Sequence, residues 1–309
     1  EAGNLTAIVE EKDADSETKQ ISEINSGVNC IDSALLRDFM ANMNNNNAQQ
    51  EYYLTDIIEF AVTRNKKINT YTVEDSDEII GINTRKQQAE AEKILRGRIA
   101  DRHLANGVTI IDPDTTYIDA EVEIAKDVTI YPFNYLEGKT KIAQNTTINP
   151  NCKLKDAVIG ENVEILSNTI IKESKVGTGT NVGPFAYLRP GSTVEANCKI
   201  GDFVELKKTT VKNGAKVPHL CYAGDAEIGE RTNIGAGTIF ANYDGENKFR
   251  TEIGSDVFIG SDSILIAPLK IGDKAKTAAG SVVTKDINSG DTVMGVPARI
   301  YNPKSKQED

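Results

Sequence analysis

The stretch NVGPFAYLRPGSTVEANCKIGDFVEL, residues 181–206, places Val182, Leu188, Val194, Ile200 and Leu206 at intervals of six. That spacing matches neither the 3.6-residue period of a helix nor the alternation of a strand. It fits a coil of short strands in which each flat side contributes one inward aliphatic residue. Outward from this stretch, the interval runs back through Ile118, Ile124, Ile130, Leu136, Ile142, Ile148 and Leu154, then Ile159, Ile165, Ile171 and Val176. It returns at Val217, Ala223, Ile228 and Ile234, and again at Ile253, Ile259, Leu265, Ile271, Thr277 and Val283. Three sides make a triangular turn of about eighteen residues, and turns stack at the ~4.8 Å spacing of paired strands. The expected fold class is mainly β, a parallel β-helix, with five-residue steps from Leu154 to Ile159 and from Ile171 to Val176 absorbed at corners.

The rest of the chain frames this coil. Residues 1–82 read as mixed α/β, with short strands (Leu5, Ala7 and Val9 alternate), an asparagine tract at Asn42–Asn47 and a helical stretch near Tyr53–Val62. Residues 83–107 read as a charged helical arm, capped at Asn83 or Thr84 and ended by Asn106-Gly107. The β-helix occupies 108–300, broken once between Ile239 and Ile253 by Asn242-Tyr243-Asp244-Gly245-Glu246-Asn247-Lys248, and residues 301–309 form a polar tail. A solenoid accepts insertions as surface loops, where binding residues concentrate. The start at Glu1, without Met and in what reads as mid-strand, suggests a fragment of a longer protein.

With 309 residues and a formal net charge of −11, the chain is globular in composition and would repel nucleic acid or an acidic membrane. An anionic substrate then needs a local basic cluster. No apolar run or signal segment points to a membrane, so a cytoplasmic location is expected. Cys30, Cys152, Cys198 and Cys221 lack C-x-x-C spacing and read as thiols.

Register turns the repeat into a map of neighbours. Leu188 and Leu206 are one turn apart, so Arg189 and Lys207 lie above one another on one face. Stacked like charges are unfavourable unless something offsets them, and a phosphate would. Of the two histidines, His103 in the arm reads as structural and His219 as a candidate base. A seventeen-residue turn brings Asn233 near His219 and places Glu205 below Tyr222. A zinc enzyme would need a cluster of histidines or cysteines that this sequence lacks, whereas an acyl transferase needs one base, an anion site and a groove for a long thioester.

Five motifs then carry a resemblance. They are Gly183-Pro184-Phe185-Ala186-Tyr187-Leu188-Arg189-Pro190-Gly191; Gly201-Asp202-Phe203-Val204-Glu205-Leu206-Lys207-Lys208; His219-Leu220-Cys221-Tyr222-Ala223-Gly224-Asp225; Asn233-Ile234-Gly235-Ala236-Gly237-Thr238; and Asn242-Tyr243-Asp244-Gly245. In order and spacing they resemble the bacterial family of bifunctional N-acetylglucosamine-1-phosphate uridyltransferase/glucosamine-1-phosphate acetyltransferases. The resemblance covers essentially the whole chain. It implies a left-handed β-helix that forms a homotrimer, with sites shared between subunits. It implies acetyl transfer from acetyl-CoA to the amine of glucosamine 1-phosphate, within UDP-N-acetylglucosamine (UDP-GlcNAc) synthesis for cell-wall precursors. His219 would be the general base and Glu205 its orienting group. Arg189 and Lys207 would hold the sugar phosphate, and Tyr222, Asn233 and Lys248 would complete the sugar pocket. Ala236, Asn242, Tyr243, Ser261 and Ala279 would line the acetyl-CoA groove.

The first 82 residues resemble only the second half of the family's uridyltransferase domain. Glu10, Asn25 and Asn83 match UDP-GlcNAc contacts, and Asn83 also a magnesium ligand in an incomplete site. The glycine-rich phosphate loop is missing, so no uridylyl transfer is expected of this chain alone. Where the family often carries an arginine for the cofactor phosphates, the chain reads Met294-Gly295-Val296-Pro297-Ala298-Arg299. Two alternatives remain from other classes: a sugar-1-phosphate nucleotidyltransferase with a regulatory β-helix, and a noncatalytic trimeric scaffold.

Overall fold

The computed structural model of the chain describes residues 5–301, and it divides into two compact units, Glu1–Ile94 and Leu95–Asp309. In the first unit, helix α1 (Ser33–Asn42) starts at Asp32, whose carboxylate accepts from the amides of Ala34 and Leu35. Helix α2 is Ile57–Thr63. Phe39 and Phe60 meet edge to face at 5.4 Å, and Phe39, Ile57 and Ala61 are buried. The short strands expected here are absent: the described residues before α3 are helical or irregular. A strand holds its shape only through a paired neighbour, and 5–94 contain no partner strand for the Leu5–Val9 alternation.

Helix α3 (Arg85–Ala105) begins with a capping box. Thr84 Oγ1 accepts from Gln87 N at 3.2 Å while Gln87 Oε1 accepts from Thr84 N at 2.9 Å. It ends in a Schellman turn: Gly107 N donates to Leu104 O and Val108 N to His103 O, with Gly107 at φ +85°. Val108 is buried and opens the coil.

The coil is a left-handed parallel β-helix, against the usual hand of parallel crossovers. Its strands, mostly two or three residues long, form three sheets of 12, 10 and 9 strands. Pairing is parallel except at the last strand, Arg299–Ile300, which pairs antiparallel with Thr292–Met294. Leu188 stands over Ile171 and under Leu206, which stands under Ala223. All four are fully buried. Ala223 in turn lies beneath Phe240, the largest fully buried side chain, so a small residue makes room for a large one.

Buried threonines pair the backbone where strands turn, as where Thr180 Oγ1 donates to Glu195 O at 2.9 Å and accepts from Cys198 N at 3.0 Å. All four cysteines are free; burial pushes Cys152 up to about 11 and Cys221 up to about 12, so these two are inert thiols. No helix among the described residues is long and apolar enough to cross a membrane. Beyond Tyr301, the expected tail lies outside the described residues.

Candidate functional site

Two strands of the first sheet, Lys199–Asp202 and Lys216–His219, run four residues and carry the chain out to a corner. Their register sets Asp202 beside His219. Such close strand approach demands glycine: a Cβ on Gly201 would collide with the carbonyl of Pro218. At the corner, Asp202 Oδ1 lies 2.5 Å from His219 Nδ1, with the two side chains 37% and 51% exposed. The hydrogen bond from the imidazole holds the Asp202 carboxyl below the usual carboxylate range. A carboxylate on Nδ1 fixes the tautomer that leaves Nε2 as the basic nitrogen.

Glu205, expected to orient the imidazole, is not its partner within this chain. Its carboxylate accepts from Arg189 at 2.8 Å, on the second sheet, where it stands beneath Tyr222. The last turn before His219 is seventeen residues long, and seventeen back from the imidazole is Asp202. The same count that set Glu205 under Tyr222 would have found it.

Above the histidine, the corner becomes a ladder of small residues. His219 O accepts from Gly237 N, Ala236 O from Asp262 N and Ser261 O from Gly280 N. His219, Ala236, Ser261 and Ala279 therefore occupy one position in successive turns. The adjoining column is glycine at 235 and 260, where a Cβ would lie 2.5 Å from Ser261 N and 2.6 Å from Ala279 N. The result is a narrow, flat-walled track rising from the imidazole.

The neighbouring wall, the second sheet, carries the cations. Arg189 follows Leu188 and Lys207 follows Leu206 in paired register, so the two stack as expected. Each has a carboxylate: Arg189 has Glu205, and Lys207 Nζ lies 3.5 Å from Asp225 Oδ2. Asn242, buried, donates its amide to the same Asp225 oxygen at 2.6 Å. Asn242 thus turns its amide onto this wall. Lys248 faces Lys207. Contact with Lys248, and then Asp225, holds Lys207 above its ordinary value, while the same contact pulls Lys248 below. A Cβ on Gly224 would collide with the Tyr222 hydroxyl and lie 2.8 Å from Asn242 Nδ2, so glycine keeps this wall open.

The interruption after Ala241 closes on itself. Phe249 N donates to Asn242 O at 2.8 Å, the Tyr243 hydroxyl donates to Gly245 O, and Asp244 accepts from the amides of Glu246 and Asn247. It presents Tyr243 and Lys248 beside the second wall, whose strands Ile264–Ile266 and Val282–Val283 continue above.

Arg189, Lys207, Tyr222 and Lys248 are therefore gathered on one wall, and His219, Ala236, Ser261 and Ala279 on the corner beside it. Asn233 is not gathered with them: it pairs with Lys216 and Phe258 on the first sheet, around the corner from Tyr222. Two surface clefts, of about 720 and 640 Å³, lie elsewhere on the coil and are lined by none of these residues. His103 is buried in the last turn of α3, where burial, and then Arg102, pushes it down.

In the first unit, Glu10 Oε1 accepts from Thr55, Asn25 Oδ1 from Gly27 N, and Asn83 N donates to Gln87. No hydrogen bond joins these three residues. Among the described residues there is no cluster of three or more His, Cys, Asp or Glu suited to a metal ion.

Residues 250–285 match the family model for the hexapeptide repeat of succinyl-transferase. The curated bifunctional protein GlmU of Clostridium novyi is 50% identical over 95% of this chain and 64% of its own length. Those of Carboxydothermus hydrogenoformans and Corynebacterium diphtheriae are 49% and 47% identical over 92% and 94% of this chain. The chain belongs to the GlmU family. It spans 64% and 60% of the length of these last two GlmU relatives, less than two thirds.

Proposed function

We propose that this chain transfers the acetyl group of acetyl-CoA to the amine of glucosamine 1-phosphate, giving N-acetylglucosamine 1-phosphate. The observation that carries the reading is the Asp202–His219 pair at the foot of the small-residue track, beside the wall holding Arg189 and Lys207. The sugar phosphate displaces Glu205 and Asp225 from the two cations, and Tyr222 and Lys248 border the sugar. His219 Nε2 takes a proton from the glucosamine ammonium, and the free amine attacks the thioester carbonyl. Backbone amides along the Ala236–Ser261–Ala279 track are suited to the tetrahedral oxyanion. Collapse breaks the carbon–sulfur bond, the imidazolium returns its proton to the departing thiolate, and the nitrogen sheds its second proton to solvent to leave the neutral amide.

Acetyl-CoA lies along the track, past Asn242 and Tyr243. Because Asn233 sits on a different wall from Tyr222, the pocket closes when a neighbouring copy brings its own wall to the corner, as a homotrimer does. In a longer chain the first unit, through Glu10, Asn25 and Asn83, would serve uridylyl transfer from UTP with Mg²⁺, in the cytoplasm.

The test is thiol release from acetyl-CoA in the presence of glucosamine 1-phosphate. His219→Ala should lower turnover about 10²–10⁴-fold. No thiol release by the unaltered chain, or undiminished turnover in the variant, refutes the reading.

A further inference from the structure

The two phosphate-gripping cations are the top of a longer column. On the second sheet, Glu137 pairs with Lys155 and Lys155 with Lys172. Tyr187 and Leu188 stand over Ile170 and Ile171, which puts Arg189 over Lys172. Lys207, over Arg189, pairs upward with Gly224. Four cations thus occupy successive storeys ~4.8 Å apart, with a carboxylate below and a glycine above. No other outward column among the described residues has more than two cations in succession, and that pair is Lys199 and Lys216. In a chain of net charge −11, this is a concentrated feature.

The lower two cations differ from the upper two. Arg189 and Lys207 each have a carboxylate partner, whereas among the described residues no carboxylate lies within ion-pair distance of Lys155 or Lys172. The acids that flank the column are committed or turned to the corner. Glu137 pairs with Lys153, Asp156 accepts from the Lys139 amide, and Glu173 is exposed at the corner. Lys172 Nζ lies 5.8 Å from the centre of the Tyr187 ring, a half-buried aromatic beside the column. Stacked like charges are unfavourable, and the two lower storeys lack the internal carboxylates that offset the upper two.

We propose that Lys172, with Lys155 below it, forms a second anion subsite continuous with Arg189 and Lys207. The face then takes ligands with two linked phosphoryl groups, of the sugar-diphosphate class, one group on the upper pair and the next on Lys172. This deepens the proposed function and rests on its reading of Arg189 and Lys207 as the sugar-phosphate grip. A ligand of this class would occupy the acceptor site and compete with the sugar monophosphate.

The test is calorimetric titration of the intact chain with inorganic phosphate and with inorganic pyrophosphate at ~0.15 M salt, where exposed charges more than ~8 Å apart are screened. Pyrophosphate should bind about tenfold more tightly than phosphate, the worth of one added charge-assisted hydrogen bond. Lys172→Ala should cut that preference to about twofold while leaving phosphate affinity unchanged, and Lys172→Arg should keep it. Equal affinities for the two anions, or a preference that survives both Lys172→Ala and Lys155→Ala, would overturn the subsite. If glucosamine 1-phosphate fails to bind while the Lys172-dependent preference holds, the acceptor reading falls and the anion subsite stands.

Discussion

Replacing Asp202 by Asn keeps the shape of the corner and changes the chemistry of one hydrogen bond. The carboxylate can only accept, so it selects the imidazole with its proton on Nδ1 and leaves Nε2 free to take one. An asparagine amide can donate to Nδ1 instead, which stabilises the tautomer with its proton on Nε2 and removes the base. The structure sets the size of the effect. The pair is close at 2.5 Å and register-fixed, so tautomer control should be strong. Both side chains are well exposed, 37% and 51%, so the fold should be little affected. Asp202 is also remote in register from Arg189 and Lys207, which sit on the neighbouring wall. Turnover should therefore fall by about 10²–10⁴-fold, with KM for the sugar phosphate within about threefold. Glu205→Gln should behave differently: it frees Arg189 and should change KM more than kcat. Because the chain has only two histidines, ¹⁵N spectra of histidine-labelled protein separate His219 from the buried His103. They should show the tautomer switch in Asp202→Asn. Half or more of wild-type turnover in Asp202→Asn, or an unchanged His219 spectrum, would refute the argument. So would a Glu205→Gln variant that loses turnover as severely with KM intact.

Gly201→Ala should force the Lys216–His219 strand away from its neighbour. We expect a loss of about 1–3 kcal/mol of stability together with loss of activity, read by thermal unfolding and by thiol release. Asp256 accepts two hydrogen bonds from Arg231, at 2.8 and 2.9 Å, and Arg231 holds its carboxyl below the ordinary 3.8. A carboxyl held low in the native state contributes stability that is present above its unfolded value and lost as pH falls through its folded value. Arg231→Gln should therefore lower stability slightly at neutral pH and leave it unchanged below the folded value of Asp256, so that stability, followed by denaturant unfolding with circular dichroism, falls less on acidification than in the unaltered chain.

Much of the site was legible before the coordinates. Stacking of Arg189 on Lys207 follows from one eighteen-residue turn, and the scarcity of histidine singles out His219. The thiol state of the cysteines follows from their scattered spacing. Four further residues escaped for reasons that can be named. Asp202 was masked by Glu205, a carboxylate three positions on that the family resemblance favoured. Asp225 sits within a quoted motif, yet only the fold shows it held between Lys207 and Asn242. Lys172 and Lys155 lie seventeen and thirty-four residues below Arg189, a count that the five-residue corner steps obscure. The strands expected in the first 82 residues failed because alternation specifies a face and not a partner.

By itself, the sequence determined that the chain coils, where the coil begins, which side chains point inward and that Arg189 and Lys207 share a column. These are local or periodic properties: a six-residue beat, a Thr84–Gln87 cap and a Gly107 turn are written in neighbouring residues. Only the tertiary structure decided which carboxylate meets the imidazole and which walls share a corner. Turns here vary in length, most of them seventeen or eighteen residues, and in paired strands a slip of one residue turns a side chain to the opposite face. The partner of His219 is therefore settled by how each corner closes.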